Sequence, residues 1–231
     1  MRGFKTLIAA LIITGFALTA APIQARADAA EGVTASPEAV VDRVVAQALM
    51  RIAESQERLK TDEAAARAVF DEVVRPYIDA HIMARFVMGP AARRANQTEI
   101  KRLSDALIER VANLYTSSLQ GYVDDIVDFA GEGKVFVRTV TEDGQRAIVS
   151  ARVRGPGVDD RTLRLQLYRR DEQWRVFDIE SSGVSILLVF RDALQDATGR
   201  NGDVDAMIAA LEEGMVNVDE AWEEAEEEAA Q

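Results

Sequence analysis

The chain has 231 residues, no cysteine, a single histidine and a formal charge of −12 at neutral pH. Without cysteine there is no disulfide framework, no thiol catalysis and no zinc–thiolate site, and one histidine cannot supply a His-rich metal cluster. The acidic balance argues against a general nucleic-acid binder, and a hydrophobic fraction of 48% excludes a disordered chain.

The N-terminus has a targeting pattern. Arg2 and Lys5 form a positive n-region, residues 7–21 are uncharged and apolar, and Ala25-Arg26-Ala27 is an A-x-A cleavage site. This predicts a secretory signal peptide over residues 1–27, cut after Ala27. Fifteen apolar residues fall short of the roughly 20 that a membrane span needs. Acidity is concentrated at the other end, where residues 201–231 hold eleven acids and no base. Residues 28–213 are therefore expected to form one domain, and residues 214–231 an acidic tail.

Helices come first along the body. Ser36-Pro37-Glu38 reads as an N-cap, a first-turn proline and a first-turn acid, followed by a stripe from Val40 through Ile52 toward Leu59. Asp62 caps a second helix carrying Phe70, Val73, Val74 and Tyr77. Asp79 caps a short third helix that stops at Gly89-Pro90. Asn96 and Glu99 form a capping-box pattern opening the longest helix, with Leu103, Leu107, Val111, Leu114, Tyr115 and Leu119 among its apolar positions. The period then changes to two over residues 134–141, 146–154, 162–169 and 174–180, separated by turn residues. Helices return over about 185–197 and 203–213. The expected class is α+β, with helices packed on one face of a curved four-stranded antiparallel sheet.

Catalytic signals are weak. Gly131-Glu132-Gly133-Lys134 resembles the end of a phosphate loop, but Asp128 stands where the first glycine belongs and Val135 replaces Ser/Thr. Gly183-Val184-Ser185 lacks the second glycine of a nucleophile elbow, and Ser185 fits better as a helix cap. Asp124, Asp125 and Asp128 lack calcium-loop spacing. His81 has no nucleophile to serve. No metal site, catalytic residue or cofactor is expected. In the tail, Leu211, Met215, Val218 and Trp222 keep a helical spacing, so Trp222 is expected either to fray with a soluble helix end or to dock on the body or on a partner.

Three stretches, in order, resemble the MlaC family, also called the toluene-tolerance family. They are Val74-Arg75-Pro76-Tyr77 with Met83-Ala84-Arg85-Phe86-Val87-Met88-Gly89; then Tyr115 with Leu119-Gln120-Gly121-Tyr122; then Trp174-Arg175-Val176-Phe177-Asp178-Ile179 with Gly183-Val184-Ser185-Ile186 and Phe190-Arg191. The likeness runs from about Val40 to Leu211. Departures are Pro90-Ala91-Ala92-Arg93 in place of an aromatic pair, Phe190 in place of a usual tyrosine, and the acidic tail.

The resemblance implies a non-enzymatic periplasmic phospholipid carrier with an apolar cavity between helices and sheet. The lipid would be cargo, moved between an outer-membrane lipoprotein–porin complex and the MCE-domain protein of an inner-membrane ABC transporter, to maintain outer-membrane lipid asymmetry. Face assignments then nominate Val74, Tyr77, Phe86, Val87, Leu107, Val111, Leu114, Tyr115, Val149, Val153, Leu165, Leu167, Val176 and Val184 as lining residues. Arg85 and Arg191 fall on the family pattern as candidate contacts for a headgroup phosphate. An ion pair with a buried acid such as Asp178 is their competing role. Rival functions are an enzyme with a conical pocket, which needs convergent polar groups, and a periplasmic interaction or chaperone module, which needs an exposed apolar patch instead of a cavity.

Overall fold

The computed structural model describes residues 35–155, 158–199, 203–216, 218, 221–222 and 224–225. The predicted signal segment, residues 1–27, lies outside them.

Local chemistry starts each helix where the sequence places it. Helix α1 (Pro37–Glu54) begins with Ser36 Oγ accepting from the Ala39 N–H at 3.3 Å. The stripe expected to reach Leu59 breaks at Ser55, and a single turn, α2 (Gln56–Leu59), follows. Asp62 caps α3 (Glu63–Val69), accepting from the Ala65 N–H at 3.1 Å. The chain then widens into a π turn (Phe70–Val74) and tightens into a 3-10 turn (Arg75–Tyr77). Pro76 offers no N–H, so an α-helical ladder cannot run through it. Asp79 caps α4 (Ala80–Met88), which ends at Gly89 with φ 55°. A full capping box of Asn96 and Glu99 opens α5 (Gln97–Glu132), 36 residues long.

A five-stranded antiparallel meander follows, in the order β1 (Lys134–Asp143), β2 (Arg146–Gly155), β3 (Val158–Arg170), β4 (Gln173–Ser181) and β5 (Val184–Ser185). The strand beyond the four expected is two residues long, too short to register as a period. Asp171 and Glu172 both take positive φ between β3 and β4, as a two-residue hairpin turn requires. The free edge of β1 is met by α1. Glu38 accepts from both the N–H and the hydroxyl of Thr139, at 3.0 and 2.8 Å, and these bonds hold its carboxyl below its usual range. Ser185 then caps α6 (Ile186–Thr198), and Asp203 caps α7 (Val204–Glu212).

The fold is α+β with helices on one face. Ala147, Val149, Ala151, Leu163, Leu165 and Leu167 are buried on that face, while Arg146, Arg152, Arg154 and Arg164 alternate with them on the exposed one. The core has two clusters. One joins the sheet to α4, α6, α7 and the first half of α5; the other joins the second half of α5 to α2, α3 and the π turn. The first continues past residue 213. Val216, Val218 and Trp222 are fully buried in it, and Arg110 Nη2 donates to the Val216 carbonyl at 3.0 Å. Met215 departs from the stripe and stays exposed.

Candidate functional site

Two apolar clefts, of about 100 and about 90 Å³, lie between sheet and helices. The first is bounded by Met83 of α4, Val111 and Leu114 of α5, Ile186, Leu187 and Phe190 of α6, and Phe177 of β4. The second lies under α1, where Val40, Val41, Val44, Val45 and Ala48 face Leu165. Both touch Val74, Ile78, Tyr115, Val176 and Ile179, which form their common wall.

That wall is held in place by backbone chemistry. Ile78 makes a parallel bridge to Val176, and the Asp79 N–H donates to the Val176 carbonyl at 2.8 Å. The segment between α3 and α4 is thus pinned across β4. From α5, Tyr115 packs its ring 5.3 Å from that of Phe70. Tyr115 is only 4% exposed, and its hydroxyl has no hydrogen-bond partner among the described residues. Burial pushes that phenol well above its usual pKa.

Asp178 is the one charged residue on the first cleft. Its carboxylate accepts from Ser185 Oγ at 2.7 Å, Gln166 Nε2 at 3.0 Å, and the N–H groups of Ile179 and Leu187 at 2.8 and 3.1 Å. Desolvation raises its pKa above the ordinary carboxylate value, against the pull of these donors, with Glu180 adding to the rise. Ser185 Oγ also accepts from the Leu188 N–H as the α6 cap. The Ser185–Asp178 pair therefore ties β4 to α6.

Of the nominated lining residues, Val74, Tyr77, Val111, Leu114, Tyr115, Leu165 and Val176 lie on one or both clefts. Val87, Leu107, Val149, Leu167 and Val184 are packed inside the first core cluster, and Val153 inside the second. Phe86 lies off both clefts, 39% exposed, with the Arg191 guanidinium 5.6 Å from its ring centre. Neither arginine pairs with Asp178, whose four donors are all neutral. Arg191 instead binds its neighbour Asp192 at 2.8 Å, and Arg85 is exposed. His81 is half-buried at the start of α4, its pKa lowered by burial and then by Arg170. Arg170 also stands 3.2 Å from the buried Asp79 carboxylate. Asp124 pairs with Lys60 at 2.7 Å and accepts from Gln56 at 2.8 Å. Among the described residues no group of three or more His, Asp or Glu is arranged to hold a metal.

Sequence reasoning did not nominate Phe70, Ile78, Phe177 and Ile179, nor Ile186, Leu187 and Phe190 of α6 or the α1 stripe from Val40 to Ala48. A β-bulge opposite Gln166 and Leu167 leaves Phe177 outside the β3 register, so Val176, Phe177 and Ile179 reach the same cleft without simple alternation. No period-two pattern carries that signal. The lining is apolar, and among the described residues it brings together no nucleophile and base.

Comparison with known proteins agrees with this architecture. The family described as MlaC protein matches residues 42–213. The toluene tolerance protein ttg2D of Pseudomonas putida is 24% identical over 175 residues, covering 75% of this chain and 78% of that protein. A phospholipid-binding protein from Ralstonia solanacearum, solved in complex with a phospholipid, has the same fold at a TM-score of 0.64 and 16% identity, covering 80% of this chain and 99% of that one.

Proposed function

The chain belongs to the MlaC protein family, and on that premise we propose that it is a periplasmic phospholipid carrier that performs no bond chemistry. One observation carries the reading: apart from Asp178, whose oxygens are engaged, every residue on the two clefts is apolar or aromatic. Each methylene moved out of water contributes about 0.8 kcal/mol, and an apolar cavity matches a bilayer in that exchange. The Ralstonia solanacearum protein of the same fold holds a phospholipid, which supports the same cargo here. The carrier shuttles lipid between an outer-membrane lipoprotein–porin complex and the MCE-domain protein of an inner-membrane ABC transporter, maintaining outer-membrane lipid asymmetry. Arg85 is exposed and Arg191 holds its exposed neighbour Asp192, a weak surface pair with which a headgroup phosphate can compete.

Native mass spectrometry of the purified mature protein tests this, with solvent extraction of what co-purifies. The expected result is a mass increment that extracts as phospholipid. A mass unchanged after incubation with phospholipid vesicles overturns it and returns the protein to the interaction-module reading.

A further inference from the structure

Tyr115 sits on the wall common to both clefts, 4% exposed, and its hydroxyl meets no acceptor among the described residues. A buried hydroxyl without a partner is costly, and natural interiors rarely leave one so. The surrounding side chains, Val74, Ile78, Val176, Ile179 and Phe70, have nothing to offer it. Asp178, the one acceptor on the first cleft, is engaged by Ser185, Gln166 and two backbone N–H groups.

From this we infer that the Tyr115 hydroxyl is a donor to the acyl ester carbonyl of a bound glycerolipid, placed where the two chains part into separate clefts. The inference rests on the carrier reading. A diacyl phospholipid carries three kinds of acceptor: headgroup, phosphate and ester carbonyls. A phosphate loses its hydration in such a wall without a cation to pair it; among the described residues no arginine or lysine lies on either cleft, and the one charged side chain there, Asp178, is an acid. The ester carbonyl is the neutral acceptor that such a wall tolerates, and the methylenes beyond it accept nothing. The clefts then select esterified chains over ether-linked ones of equal length. Shape and apolar area cannot make that distinction.

The test offers the protein vesicles holding equal amounts of diacyl and dialkyl phosphatidylethanolamine with matched chains, and counts both complexes by native mass spectrometry. A neutral hydrogen bond of ordinary strength corresponds to a preference of roughly three- to tenfold for the diacyl lipid. That preference is expected in the wild type and is expected to fall to parity in Tyr115→Phe. Parity in the wild type overturns the inference, leaving the hydroxyl to an ordered water. A preference undiminished in Tyr115→Phe assigns the selection to another group and equally overturns it. Failure of both lipids to bind the wild type overturns the carrier reading itself, so the two failures are distinguishable.

Discussion

Asp178 shows how much one buried carboxylate organises. It joins β3, β4, β5 and the first turn of α6 through four neutral donors, where an ion pair with Arg85 or Arg191 was the competing expectation. Because burial raises its pKa, folding favours the protonated form. As pH climbs above about 4, the wild type therefore loses stability that Asp178→Asn, carrying no charge, retains. Urea denaturation across a pH series is expected to show wild-type stability declining relative to the variant as pH rises, and a gap moving the other way would contradict it. Single residues also mark where the sequence stopped being legible. Ser36, Asp62, Asp79, Asn96 and Ser185 were readable as caps because capping is settled within four residues. Leu107 and Val111 were not separable, since both occupy the same helical stripe. One is packed in the core and the other lines a cleft, a difference made by residues distant in sequence.

At the scale of elements, the passage from α5 into β1 explains the glycine pair that imitated a phosphate loop. A Cβ at Gly133 would fall on the buried Phe129 ring, while one at Gly131 would meet nothing within 4 Å. Gly155 approaches the same spot from β2, its own Cβ position 2.7 Å from Gly133 Cα. Gly133→Ala is expected to destabilise by about 1–3 kcal/mol through overpacking. Gly131→Ala, in the exposed last turns of α5, should be neutral or stabilising by up to ~1 kcal/mol. Thermal unfolding of the two variants side by side checks this, and equal losses would refute the steric account. The π turn at Phe70–Val74 was beyond sequence reading for a related reason. It shifts the helical register of Val74 and Tyr77, and only packing across β4 reveals that shift.

For the whole molecule, the described residues Val216, Val218 and Trp222 make the acidic C-terminal segment a contributor to the core. That side chain is fully buried, whereas Met215 is 54% exposed on the same run of chain. Trp222→Ala is expected to cost about 3–5 kcal/mol, and Met215→Ala no more than ~0.5 kcal/mol, both measured by urea denaturation. A small loss at Trp222 would show that the segment is held weakly. Deleting residues 219–231 consequently removes a piece of core as well as charge.

Helix α5 runs unbroken through both core clusters, with Ile100, Leu103 and Leu107 in one and Leu119, Ile126 and Phe129 in the other. At 1.5 Å per residue it is a beam about 54 Å long. Tyr115, near its middle, faces both clefts. The helix's own hydrogen bonds are local, each residue to the one four back, so it is the packing of a single helix into both clusters that links them. The two clefts are therefore not independent spaces: whatever fills either of them meets the same residue of the same helix.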